Sequence, residues 1–163
     1  MTNATSAADA TVIERTYPAA PERIWELWTT ADGIGQWWAP DGFRTDVTAI
    51  DVRPGGELRY TMTATAPETI AFMEGAGMPL ATESRKTFTE VERPRRLGYV
   101  SRIDFVPGHQ AYDHLTIVAV APVDGGTRVT MAIDPMHDDE WTGRIVAGRT
   151  NELDNLGRLL SAE

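Results

Sequence analysis

The hydrophobic period of this chain switches to two at Phe43 and to a helical spacing at Asp138, and those switches constrain the fold more than any other feature. From Phe43 to Asp134 apolar residues tend to recur at every second position, and from Asp138 to Ala162 they follow the helical spacing. Such a chain must set half-buried strands against one long amphipathic helix, because each element has one apolar face to bury. The alternation predicts strands over 43–52, 56–65, 84–92, 96–105, 112–121 and 127–134. Turn signals separate them at Arg53-Pro54-Gly55-Gly56, Arg93-Pro94-Arg95, Pro107-Gly108 and Asp124-Gly125-Gly126. Leu58, Tyr60 and Met62 share one face of their strand, as Val129, Met131 and Ile133 do in the last. Segment 67–83 breaks the alternation and reads as a short helix and loop inserted in a hairpin.

Ahead of this region, residues 11–17 form a predicted strand ended by Pro18, and Pro21 opens a helix, where its fixed φ is favoured. Ile24, Leu27 and Trp28 lie on one face of that helix, with Trp25 beside them. Asp32 is the expected cap of a second short helix that carries Gly33-Ile34-Gly35-Gln36-Trp37-Trp38-Ala39-Pro40. Adjacent side chains diverge. One of the two tryptophans is therefore expected in the core beside Trp25 or Trp28, and the other at a cavity rim or an interface. The terminal helix begins at Asp138, Asp139 and Glu140, acids that suit a helix N-terminus. If the sheet curls around this helix, a cavity remains between them.

Composition sets the outer limits. The 163 residues suffice for one core, so residues 10–163 are read as a single domain behind a flexible tail, 1–9. The absence of cysteine excludes disulfides, thiolate metal sites and cysteine nucleophiles. A formal charge of −9 argues against nucleic acid and anionic lipid as partners. No run of 18 apolar residues occurs, and the N-terminus lacks the basic start and apolar stretch of a secretory signal. A cytoplasmic protein that meets no membrane is the expectation. Lys86 is the only lysine in an arginine-rich chain, a skew that carries no functional weight by itself.

The ordered set of short motifs resembles the START-like superfamily, and within it the family of the activator of heat-shock protein 90 ATPase. The motifs are Pro21-Glu22-Arg23-Ile24-Trp25, Trp37-Trp38-Ala39-Pro40, Asp51-Val52-Arg53-Pro54-Gly55-Gly56, Phe88-Thr89-Glu90-Val91, Pro94-Arg95-Arg96-Leu97 and Asp124-Gly125-Gly126-Thr127-Arg128-Val129-Thr130, followed by the terminal helix. They span roughly residues 10–162. The resemblance implies an α+β helix-grip fold: a curved, seven-stranded antiparallel sheet wrapped around a long C-terminal helix, with an internal cavity. It also implies a choice among apolar-ligand carriers, polyketide cyclases and a co-chaperone; no cofactor is expected.

On the terminal helix, Thr142, Ile145, Val146, Leu153, Leu156 and Leu160 form the apolar face, and Arg149 falls in its middle. The family resembled usually has Gly-Trp where this chain has Gly148-Arg149. A guanidinium on a cavity face must find partners. Two readings stand: an internal ion pair with Glu152, Asp113 or Glu90 (or extension to the cavity mouth), and an anchor for a ligand carboxylate or carbonyl. Tyr60, Met62, Phe88, Tyr99 and Met131 are expected to line the cavity from the strands. Phe72, Met73 and Met78 would join them from 67–83, and Trp141 from the start of the helix. Met suits adaptable apolar sites, and the glycines of 67–83 suit a lid.

Acid–base chemistry has its candidates in Tyr112, Asp113 and His114, with Tyr112 and His114 sharing strand parity and Asp113 opposed. Glu90 and Arg149 complete that list. Ser84 and Ser101 lack the glycine elbow of a serine hydrolase. His109, His114 and His137 lack close helical ligand spacing, so no metal is expected. The leading expectation is a protein that binds a small hydrophobic or amphipathic molecule, with Arg149, joined by Tyr112 or His114, fixing its polar end. The alternatives are a cyclase, dehydratase or hydrolase in the same cavity, and a co-chaperone-like interaction module. A homodimer is left open, motivated by the family and by an exposed tryptophan-rich helix edge.

Overall fold

A computed structural model describes residues 9–163. Except for Asp9, the expected N-terminal tail lies outside the described residues. The elements follow in the order β1 (Thr11–Tyr17), α1 (Pro21–Thr29), α2 (Ala31–Gly35), β2 (Phe43–Ile50), β3 (Glu57–Ala64), α3 (Pro67–Gly75), β4 (Ala81–Glu92), β5 (Arg96–Ile103), β6 (Tyr112–Val123), β7 (Gly126–Ile133) and α4 (Asp139–Ser161). All seven strands join one antiparallel sheet in the order β1-β7-β6-β5-β4-β3-β2. This is the expected helix-grip architecture.

Period-two burial decides which residues face α4. Leu58 and Tyr60, Lys86 and Phe88, Leu97 and Tyr99, and His114, Thr116 and Val118 are buried on the concave side. Register shifts at Val47/Ala49 and Phe88/Glu90 add the local bend that curls the sheet. Leu153, Leu156 and Leu160 of α4 are buried against this face. Each leucine so buried contributes about 1.5–3 kcal/mol. The Tyr17 hydroxyl donates to the Leu153 carbonyl at 2.8 Å, and Asn155 Nδ2 donates to the Ala39 carbonyl at 2.8 Å. These bonds hold the C-terminal half of α4 between β1 and the turn after α2. At its start, the Asp138 side chain caps α4 by accepting from the Trp141 amide at 2.8 Å.

Two details correct the expectations. The cap of α2 is Thr30, whose hydroxyl accepts from the Gly33 amide at 2.9 Å, so Asp32 lies inside the first turn. Gly33 permits the tight step from α1 to α2, because a Cβ there would stand 2.6 Å from the Glu26 carbonyl oxygen. Both tryptophans of the pair are buried, where one had been expected at a rim. Their turn is sandwiched, so opposite directions both lead inward. Trp37 packs edge-on against Trp28 of α1, with ring centres 4.7 Å apart, and donates Nε1 to the Leu27 carbonyl at 2.8 Å. Trp38 points to the sheet, 6.1 Å from Tyr60 and 6.2 Å from Tyr99. The exposed tryptophan edge that had suggested a homodimer is therefore not there.

Candidate functional site

A pocket of about 620 Å³ opens between β3–β5 and α4. Strand parity puts Tyr60, Ser84, Lys86 and Ser101 on its inner wall, and α4 contributes Ile145 and Arg149. Ile103 and Phe105 extend the wall toward the mouth, where Phe105 is 60% exposed and lies 5.9 Å from the Trp141 ring. Trp38 and Tyr99 stand behind the inner wall. Tyr60, Ile103, Phe105 and Ile145 give the walls their apolar area, Arg59, Glu83, Arg85, Arg102 and Asp104 form an exposed charged rim, and Lys86 and Arg149 are the buried charges at the inner end.

Arg149 is 4% exposed. Its Nη1 donates to Glu152 Oε2 at 3.1 Å, one helical turn on, and its Nε donates to Thr116 Oγ1 at 3.4 Å. Of the two open readings, the internal ion pair with Glu152 is the contact observed. Asp113 and Glu90 take other partners, pairing on the outer side of the sheet with Arg102 at 3.3 Å and Arg96 at 2.7 Å. The pair does not exhaust either group. Arg149 Nη2 and Glu152 Oε1 are buried and have no hydrogen-bond partner among the described residues, and the Tyr99 hydroxyl is in the same condition. Burial is the largest single influence on Arg149 and works against its charge, but Glu152, Tyr99 and Tyr60 together outweigh it, so the guanidinium pKa stays above its ordinary value.

Lys86, which sequence reasoning passed over, is the second cation. It is 7% exposed and donates Nζ to Ser101 Oγ at 2.8 Å. Its ammonium nitrogen lies 5.6 Å from the Tyr99 ring centre and 6.0 Å from that of Trp38. Arg149 lies 5.9 Å from the same Tyr99 ring. Burial pushes Lys86 down from 10.5 to about 7, the Arg149 charge pushes in the same direction, and Glu152 opposes them. The signal was present in the sequence: Lys86 shares parity with Phe88, so a buried Phe88 obliges a lysine to face inward.

The ladder extends this polar strip. Lys86 pairs with Ser101 across β4–β5, and Ser101 with His114 across β5–β6. His114 is almost fully buried and bonds through Nε2 to the Asp134 carbonyl at 2.7 Å, while its Nδ1 has no partner among the described residues. Burial lowers its pKa despite that bond, and Arg149 and Lys86 lower it further. Tyr112 turns away from this strip to His137, with its hydroxyl 2.7 Å from Nδ1. Asp113 faces outward, as its parity predicted.

The other expected lining residues divide. Phe88, Tyr99 and Met131 are core residues behind the pocket, and Met62 is half-buried beside Tyr60. Met73 is buried, whereas Phe72 is 69% and Met78 is 47% exposed. Phe72, Met73 and Met78 are absent from the pocket wall, so the expected lid does not cover it. Trp141 stands outside the wall, behind Phe105.

Several solved structures share this architecture. One is a protein from Chromobacterium violaceum, 20% identical, with a TM-score of 0.70 over 94% of this chain and 97% of that one. Another is an AHSA1-like protein from Aeromonas hydrophila, 24% identical, with a TM-score of 0.70 over 94% and 92%. A third, the AHSA1 protein from Silicibacter pomeroyi, is 21% identical, with a TM-score of 0.70 over 94% and 98%. At these identities the likeness shows the fold alone. No curated protein matches the sequence. No helix among the described residues is long and apolar enough to cross a membrane. The family model of the Activator of Hsp90 ATPase homolog 1-like protein matches residues 18–161, and the chain belongs to that family.

Proposed function

We propose that this protein binds a small amphipathic molecule whose apolar body fills the pocket between β3–β5 and α4 and whose carboxylate or carbonyl oxygen meets Arg149. The supporting observation is the buried Arg149 Nη2, without a partner among the described residues, on a guanidinium that borders a pocket of about 620 Å³. A buried donor without an acceptor costs about 1–3 kcal/mol, and a ligand oxygen would remove that cost on binding. A pocket of this size suits a small molecule. Tyr60, Ile103, Phe105 and Ile145 supply the apolar area, which is the main source of binding free energy. Tyr112 and His114, expected beside Arg149 as polar contacts, are held by His137 and Asp134 and take no part in this reading.

Binding is tested by titrating a panel of aromatic and aliphatic carboxylates while following tryptophan fluorescence, with native mass spectrometry as the second readout. Trp38 adjoins Tyr60 of the pocket wall, so an occupied pocket alters its emission. A bound carboxylate whose affinity falls roughly 10- to 100-fold in Arg149→Met supports the reading, as expected for a charge-assisted hydrogen bond. Absence of binding across the panel, or equal affinity in the variant, rejects it.

A further inference from the structure

We propose that Lys86 captures carbonyl ligands covalently: its Nζ condenses with an aldehyde or ketone seated in the pocket and forms a reversible imine. The proposal rests on the binding reading above and names the substrate class of the same site.

The placement of Lys86 is the first ground. A structural lysine charge is ordinarily exposed or paired with a carboxylate. Lys86 is neither: it is buried, borders the pocket, and is in no salt bridge among the described residues. Its one hydrogen bond goes to a neutral hydroxyl, that of Ser101.

The surroundings are the second ground. The groups around Lys86 are Tyr60 from β3, Tyr99 and Ser101 from β5, His114 from β6, and Arg149 and Glu152 from α4, with the Trp38 ring behind. Glu152 is the only acid among them, and it is engaged by Arg149. Burial and the Arg149 charge hold Lys86 near 7, so a large share of the amine is neutral and nucleophilic at neutral pH. Desolvation beside a second cation is a recognised way to activate a lysine.

The available donor is the third ground. Arg149 and Lys86 both approach the Tyr99 ring, at 5.9 Å and 5.6 Å. Both also border the same pocket, so a carbonyl seated between them would present its carbon to Nζ and its oxygen to the Arg149 guanidinium.

The chemistry needs nothing beyond the two reactants. The Nζ lone pair adds to the carbonyl carbon, and the C=O π pair moves to oxygen. Nitrogen gives up one proton as oxygen takes one, which yields a carbinolamine. The C–O bond then breaks, oxygen leaves as water with a second proton from nitrogen, and the nitrogen lone pair completes C=N. Amine and carbonyl become imine and water with no change of oxidation state.

The composition makes the test clean, because an unmodified chain with one lysine carries only two amines, Nζ of Lys86 and the N-terminal α-amine. Wild-type protein is incubated with 3-phenylpropanal and cyanoborohydride, which traps the imine as a stable secondary amine, and the site is read by intact mass and peptide mapping. Non-covalent binding of 3-phenylpropanoate is followed in parallel by tryptophan fluorescence. The expected result is labelling at Lys86, about a thousandfold faster at pH 7 than for a free lysine side chain, in proportion to their neutral fractions. That ratio falls toward unity above pH 10. Label confined to the N-terminus, or Lys86 labelled no faster than free lysine, overturns the proposal. Binding of 3-phenylpropanoate without labelling of Lys86 rejects the imine and leaves the binding reading standing; failure of both rejects both. Each readout uses the wild-type chain, so neither depends on a variant that folds.

Discussion

Replacing Lys86 by methionine should stabilise the protein at neutral pH, and the gain should vanish in base. Lowering the pKa from 10.5 to about 7 means that the fold disfavours the ammonium by about 4–5 kcal/mol. The sign follows from proton counts. Between pH 7 and 10.5 the unfolded chain holds a proton on Lys86 that the folded chain has largely released, so wild-type stability rises with pH across that window. At pH 7, where the folded amine is half neutral, about 4 kcal/mol of this cost is present. Methionine is close in shape and removes it. The substitution also removes the Nζ–Ser101 hydrogen bond, worth about 1 kcal/mol. The variant should therefore be more stable by about 3 kcal/mol at pH 7, with the advantage shrinking by about 1.4 kcal/mol per pH unit and crossing zero between roughly pH 9 and 10. Urea unfolding followed by tryptophan fluorescence at pH 7, 8, 9 and 10 measures this, and the difference between the two proteins cancels other titrating groups. A stability difference that does not change with pH, or a variant less stable at pH 7, would refute the reasoning.

Four further substitutions probe neighbouring parts. Arg149→Met should destabilise by about 3 kcal/mol because it strands the Glu152 carboxylate, whereas Arg149→Met with Glu152→Leu should recover most of that loss; chemical denaturation of the four proteins in the cycle gives the coupling. Trp38→Ala should cost about 3–5 kcal/mol and lower the melting temperature, since the ring fills the space behind Tyr60 and Tyr99. His114 is held neutral by burial, so the unfolded state takes up its proton first as pH falls below the ordinary histidine range near 6.5. Wild-type stability should decline there, and the decline should be shallower in His114→Gln, as read by unfolding midpoints between pH 7 and 5.

The fold was legible because burial in a curled sheet alternates along most of each strand. The pattern Leu58, Tyr60, Met62 and the pattern Val129, Met131, Ile133 each named the inner face of a strand. The same geometry named Arg149, since no other charge sits in the middle of the α4 stripe. Lys86 was hidden because charge outweighs parity in a reading of polarity: its shared parity with Phe88 pointed inward, and its partners across the ladder, Leu58 and Ser101, agree. Segment 67–83 misled for the opposite reason. Ile70, Phe72 and Met73 spread around a nine-residue helix, so no single face could enter the core, and only Met73 is buried. The tryptophan pair was half legible: divergence of neighbouring side chains is local, but the sandwich that buries both comes from α1 and the sheet together.

The most direct measurement of the central claim, a buried amine beside Arg149 that is about half neutral at pH 7, is an NMR titration of protein carrying ¹³Cε-lysine. One lysine gives one resonance. A midpoint near pH 7 is predicted for the free protein, and a carboxylate such as 3-phenylpropanoate should move it upward, because a nearby anion favours the ammonium. A midpoint near the ordinary value of 10.4, unmoved by the carboxylate, would contradict the account.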